Sequence, residues 1–129
     1  MSKQSGMKIT RVRTIGVPVT DQDRALDFYL GTLGFAKRID VTLGADLRWI
    51  EVAPHGSDGT SIALLRATKE APAGVETGIR LMTEDADVSH SEMRSRGVDV
   101  DEVLRWPDAP PMFSFRDQDG NGLEIVEGE

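Results

Sequence analysis

Val19-Thr20-Asp21-Gln22-Asp23-Arg24-Ala25-Leu26-Asp27-Phe28-Tyr29-Leu30-Gly31-Thr32-Leu33-Gly34-Phe35 reads as the end of one strand, a capped helix and the start of another strand. Thr20 or Asp21 is placed to cap the helix, and Asp23 puts negative charge at its positive end. Ala25, Phe28, Tyr29 and Leu33 recur at helical spacing and form one apolar stripe. Gly34 suits the left-handed residue that stops a helix. Upstream, residues 12–17 read as a strand that Pro18 or Val19 ends. Downstream, strands are expected at residues 35–41, 47–53 and 60–66. Gly44 and the turn Pro54-His55-Gly56-Ser57-Asp58-Gly59 part them.

The same order recurs further along. Residues 78–82 read as a strand. Thr83-Glu84-Asp85 opens a helix, Met93 faces inward, and Gly97 stops it. Strands follow at residues 100–105, 112–116 and 123–127. Asp117-Gln118-Asp119-Gly120-Asn121-Gly122 makes a tight turn, where Asp and Asn bond nearby backbone and Gly supplies positive φ. The chain is therefore expected to be α+β, a β-α-β-β-β unit used twice. Residues 1–8 read as a polar tail. One domain covers residues 9–129, with modules at 9–67 and 76–128 and a linker at 68–75 that contains Ala71-Pro72-Ala73-Gly74.

At 129 residues the chain suits one core. A net charge of −7 argues against a basic face for nucleic acid. Cysteine is absent, which removes disulfides, thiolate metal sites and a cysteine nucleophile and fits a reducing compartment. No apolar run is long enough to span a membrane, and Met1-Ser2-Lys3-Gln4-Ser5 opens no secretory signal. A cytoplasmic protein without nucleic-acid or membrane partners is the expectation.

Taken together, the helix signature at residues 19–35 and the run Phe115-Arg116-Asp117-Gln118-Asp119-Gly120-Asn121 with Leu123-Glu124-Ile125 resemble the vicinal-oxygen-chelate superfamily of glyoxalases, bleomycin-resistance proteins and dioxygenases. The second run is similar to its closing F-x-D-P-D-G-N-x-x-E turn and strand. Arg48-Trp49-Ile50-Glu51-Val52 and Pro110-Pro111-Met112-Phe113 resemble a glyoxalase-like bacterial branch. The resemblance implies two modules whose curved mixed sheets enclose a cavity with the helices outside, and a homodimer. It also implies a divalent ion held from the first and last strands of each module. Those positions are Thr14, Gly78 (or Thr77), Ala63 and Glu124. Only Glu124 is a ligand type, so no metal and no cofactor are expected. His55 in its turn and His90 on the second helix are expected to be solvated.

Strand alternation divides the faces. If Thr14, Ala63 and Glu124 point into the cavity, so do Val12, Gly16, Ser61, Leu65, Gly122 and Val126. Ile15, Val17, Ile62, Leu64, Leu123 and Ile125 then face the helices. The candidate ligand-binding set is Thr14, Trp49, Glu51, Ala63, Trp106, Met112, Ser114 and Glu124. Trp49, Trp106 and Met112 suit a planar ring, or else core or dimer packing. Glu51 is either an exposed strand residue or a polar pocket group. Arg48 and Arg116 either hold an anionic ligand or pair with surface acids. Glu124, inside a cavity without metal, is expected to have a raised pKa and to serve as base or anchor, or else to be hydrogen-bonded without a chemical role.

Three functions compete. The first is a metal-free module of bleomycin-resistance type that binds a small, partly aromatic or hydrophobic molecule. The second is a glyoxalase-like lyase or isomerase, or a dioxygenase, metal-dependent or using Glu124 as base. The third is a regulatory partner domain.

Overall fold

The computed structural model describes residues 6–128. Most of the expected tail, residues 1–5, lies outside them. The first module runs β1 (Thr14–Val19), α1 (Gln22–Leu26), a π-helical segment (Asp27–Thr32), β2 (Phe35–Leu43), β3 (Leu47–Pro54) and β4 (Ser61–Arg66). The second runs β5 (Glu76–Thr83), α2 (Ala86–Ser95), β6 (Asp99–Val100), β7 (Met112–Arg116) and β8 (Gly122–Glu127). Each module makes one four-stranded mixed sheet, in the orders β1-β4-β3-β2 and β5-β8-β7-β6. The first and last strands pair in parallel and the others antiparallel. This is the α+β repeat expected from the sequence.

The caps follow the chemistry of the side chains. Asp21, not Thr20, caps α1 by accepting from Arg24 N at 3.1 Å. Asp85 caps α2 by accepting from Val88 N at 3.1 Å. Gly34 and Gly97 close the two helices at φ of 79° and 84°. Two elements depart from expectation. The first helix does not stay α: Leu33 N donates to Phe28 O at 2.9 Å, five residues back. The strand expected over residues 100–105 shrinks to β6 and an isolated bridge from Leu104 to Met112.

One core joins the modules. Val17, Val19, Tyr29, Ile50, Val52 and Leu64 of the first belong to one buried cluster with Met93, Phe113, Phe115, Leu123 and Ile125 of the second. The alternation assigned to the helix side therefore holds for most positions. Ile15 is the exception at 37% exposed, because β1 is an edge strand and Ile15 lies near its start.

The turn before β8 locks this junction. Asp117 and Asn121 are both buried. Asn121 Oδ1 accepts from Gly74 N at 2.8 Å and Val75 N at 3.0 Å. Its Nδ2 donates to Pro18 O at 2.8 Å and Asp117 Oδ2 at 3.0 Å. Asp117 Oδ1 accepts from Asp119 N and Asn121 N, both at 2.9 Å, and Tyr29 Oη donates to Asp117 Oδ2 at 2.8 Å. Burial, reinforced by the Asp117 charge, pushes the Tyr29 hydroxyl far above the ordinary tyrosine range and keeps it a donor. Thr20 N and Oγ1 donate to Asp119 at 3.0 and 2.6 Å. Asp119 ends below the ordinary carboxylate value: burial raises it, but the hydrogen bonds from Thr20 and Gln118 outweigh that.

Candidate ligand site

The open face of the first sheet is set by register. Gly16, Ala63, Glu51 and Ile39 are successive cross-strand partners, so they share one row and one face. Thr14 pairs with Ser61 in a neighbouring row, and Trp49 with Val41 in another. Ile39 and Glu51 of this row border a hollow, whereas the space beside Gly16 is taken by Leu65. A register shift between Lys37 and Ile39 bulges β2 at Arg38. The Arg38 guanidinium reaches Gly59 O and Ser61 Oγ, both at 2.7 Å, and Ser57 O.

Glu51 is the unusual group. It is 4% exposed, so it is not the exposed strand residue of one sequence reading. Its Oε2 accepts from the Trp49 indole Nε1 at 2.8 Å. Arg13 Nη2 stands 3.8 Å away, beyond hydrogen-bond length. Among the described residues no donor meets Glu51 Oε1. The hollow it borders is about 250 Å³ and is lined by Arg11, Arg13, Arg38, Ile39, Asp58 and Ser61 as well as Glu51.

The second sheet places Ser114, Glu124 and Arg80 in one row. Arg80 Nε donates to Glu124 Oε1 at 2.9 Å. The Glu124 side chain is 35% exposed and Arg80 71%, so the expected enclosure of Glu124 does not hold in the single chain. Parallel pairing sets Arg80 opposite it, and the guanidinium meets the carboxylate directly. Glu76, Arg80 and Glu124 border a smaller hollow of about 120 Å³. Met112 pairs with Val126, and Trp106 lies in the loop between β6 and β7 at 60% exposure.

The candidates thus fall into two groups. Thr14, Trp49, Glu51 and Ala63 lie on the first sheet. Met112, Ser114 and Glu124 lie on the second, with Trp106 near its edge. The two hollows share no residue, and Trp49, Trp106 and Met112 line neither, so these three candidates do not converge on either hollow in a single chain. Arg13, Arg38 and Arg80 escaped the sequence reading. Arg38 needed the bulge, and Arg80 needed the parallel register.

Arg48 pairs with Asp40 at 2.9 Å and Asp23 at 2.8 Å, and Arg116 with Asp101 at 2.8 Å. Both are occupied by acids. His90 is half-buried rather than solvated: its Nε2 lies 2.9 Å from Asp101 O and its ring stands edge-on to Phe113 at 5.0 Å.

A model of the Glyoxalase/Bleomycin resistance protein/Dioxygenase superfamily matches residues 11–125. The chain belongs to this superfamily. Its structure is similar to TnmS3, an antibiotic binding protein from Streptomyces sp. CB03234. The two are 35% identical, with 95% of this chain and 99% of that one covered and a TM-score of 0.83. A superfamily member from Sphaerobacter thermophilus DSM 20745 is 35% identical over 93% of this chain and 98% of its own, with a TM-score of 0.85. The uncharacterized protein YurT of Bacillus subtilis (strain 168) is 32% identical over 84% of this chain and 92% of its own.

Some superfamily members hold a metal, so the donors at those positions matter. Ala63 and Gly78 have no ligand atom. Thr77 Oγ1 donates to Gly122 O at 2.7 Å and accepts from Ile79 N at 3.1 Å. Glu124 is ion-paired with Arg80. Among the described residues, no group of three or more His, Asp or Glu side chains is placed to hold an ion. This donor set does not fit a divalent cation.

Proposed function

We propose that the chain is a metal-free binding protein for a small, partly aromatic molecule that carries a hydrogen-bond donor. The observation that carries this reading is Glu51. Its Oε2 is held by the Trp49 indole and faced by the Arg13 guanidinium, while its Oε1 takes no protein donor among the described residues, so a ligand N–H or O–H can replace water there. Trp49 beside it offers an aromatic surface. The antibiotic-binding relative supports a ligand-binding role. The hollow of about 250 Å³ leaves room beside the carboxylate.

We infer further that a second copy completes the site. The first hollow carries three arginines against two carboxylates, and the second one arginine against two. Val41, Leu43 and Leu47 are exposed on the first sheet, and Met82, Leu104 and Trp106 on or beside the second. Opposite charge balance and exposed apolar groups favour the first sheet of one copy facing the second sheet of another. A cytoplasmic homodimer with two equivalent cups is the proposed form. Turnover with Glu124 as base is the weaker reading, because Arg80 Nε already donates to one of its two oxygens, Oε1.

Binding is tested by Trp fluorescence against a panel of aromatic compounds bearing amine, amide or hydroxyl groups, with and without chelator. Saturable quenching that chelator leaves unchanged and Glu51→Gln weakens is the expected result. Binding that appears only with added divalent metal would overturn the metal-free reading. A monomer at micromolar concentration in sedimentation would overturn the shared cup.

A further inference from the structure

A cavity of about 380 Å³, larger than either hollow, opens between the modules. It belongs to neither open face. Leu81, Phe115 and Ile125 form its floor, and they alternate with Arg80, Ser114 and Glu124, so their side chains point to the opposite side of the second sheet. Met93 of α2 closes one flank. The other comes from the first module, through Thr32, Leu33, Phe35 and Pro54. The volume lies near the lower end of small-molecule sites, roughly 300–1,000 Å³, and such sites favour junctions between folded units.

Two further observations single this cleft out. The first helix gives up α geometry at this wall: the π segment ends at Thr32, and Arg96 Nη1 crosses from α2 to donate to Thr32 O at 2.7 Å. Single π turns are uncommon and cluster at functional sites. At the rim, Thr83 Oγ1 and Ser89 Oγ hydrogen-bond each other at 2.6 Å. Thr83 Oγ1 also donates to Asp85 O at 3.5 Å and accepts from Asp85 N at 3.4 Å, so Ser89 donates to it and the spare acceptor positions lie on Ser89 Oγ. The charged rim groups are already matched, because Arg96 pairs with Glu92 at 3.0 Å.

We propose that this inter-module cleft is a second small-molecule site, taking a compact neutral molecule with one aromatic ring and one polar N–H or O–H. The ring packs between Leu33, Phe35 and the Met93 thioether. The polar N–H or O–H donates to Ser89 Oγ. A net charge is disfavoured because Glu92 and Arg96 neutralise each other. The site is independent of Glu51 and of the shared cup.

Indole is a suitable probe, titrated into the full chain with methyl-labelled Leu, Ile and Met and followed by ¹H–¹³C correlation spectra. Saturable shifts are expected at Leu33, Met93 and Ile125, while Leu65 and Met112 on the open faces stay still. Val88→Phe and Ser89→Phe fill the cleft from two positions of α2, and each should weaken binding roughly tenfold or more. A variant whose remaining methyl spectrum collapses is set aside in favour of the other. Shifts centred on Leu65 or Met112, no saturation at millimolar indole, or wild-type binding in a folded Phe variant would overturn the proposal. So would a change of oligomeric state in Val88→Phe, which would make the cleft a contact between copies. Glu51→Gln leaves indole shifts unchanged if the two sites are separate, so the binding reading above can fail without this one.

Discussion

The two modules share one topology and place their buried polar groups differently. The second buries Asp117 and Asn121 in the turn between its last strands, where their side-chain oxygen and nitrogen atoms find partners. The first leaves the corresponding turn, residues 54–59, largely exposed and instead buries Glu51 in the open face of its sheet. A buried network rigidifies a junction; a carboxylate that borders an open hollow, with Oε1 free of protein donors among the described residues, can take one from a ligand. One sequence repeat has thus been divided into a half that fastens the fold and a half that offers a site. The turn that resembles the superfamily's closing motif belongs to the fastening.

The largest effect is expected at the fastening. Asn121→Ala strands Gly74 N, Val75 N and Pro18 O, and should cost about 3 kcal/mol or more in urea unfolding. Ser57→Ala in the corresponding exposed turn should stay within about 0.5 kcal/mol. Equal costs at the two turns would erase the comparison.

At the open faces the order concerns binding rather than stability. Glu51→Gln should reduce affinity for the fluorescence ligand about tenfold or more, the scale of a hydrogen bond to a charged group. Glu124→Gln should act more weakly, because Arg80 already holds that carboxylate. The reverse order would move the site to the second sheet. Tyr29→Phe, which removes one bond to Asp117, should lower stability by about 1–2 kcal/mol without changing affinity.

Acid sharpens the comparison further. Hydrogen bonding from Arg48 holds Asp40 at about 2, below its ordinary 3.8. A carboxyl lowered on folding stabilises the protein above its unfolded value, and that contribution is lost as pH falls through the folded one. For Asp40 the loss therefore runs from 3.8 down to about 2, and Asp119 follows the same sign. Thermal midpoints of Asp40→Asn and Asp119→Asn should fall less steeply below pH 4 than the wild type, which is about where carboxyls protonate.

The smallest effect is a gain. Gly120 N donates to Asp117 O at 3.0 Å, which makes Gln118 the second residue of a four-residue turn. Its Oε1 is buried without a partner among the described residues. Gln118→Pro should therefore raise stability by about 0.4–1 kcal/mol, read as a small rise in the unfolding midpoint.

Local chemistry wrote much of this fold into the sequence. Asp21 and Asp85 as caps, Gly34 and Gly97 as stops, and the alternating apolar strands specify a β-α-β-β-β unit and its repetition, because each signal acts within a few residues. The short β6 was not legible, since Asp101 and Arg105 turn their side chains to acids and bases of other elements. The π segment was not legible either, because its Thr32 carbonyl is claimed by Arg96, 64 residues away. The candidate site divides along the same line. The type of side chain at Trp49, Glu51 and Glu124 was plain, and so was the poverty of ligands at Thr14, Ala63 and Gly78. That Glu51 is buried beside Trp49 while Glu124 is half-buried and paired with Arg80 was decided by register across strands and by one bulge at Arg38. Sequence fixes which groups a strand carries; only the packing of strands and modules fixes which of those groups lose water, and burial is what turns a carboxylate into a candidate binding group.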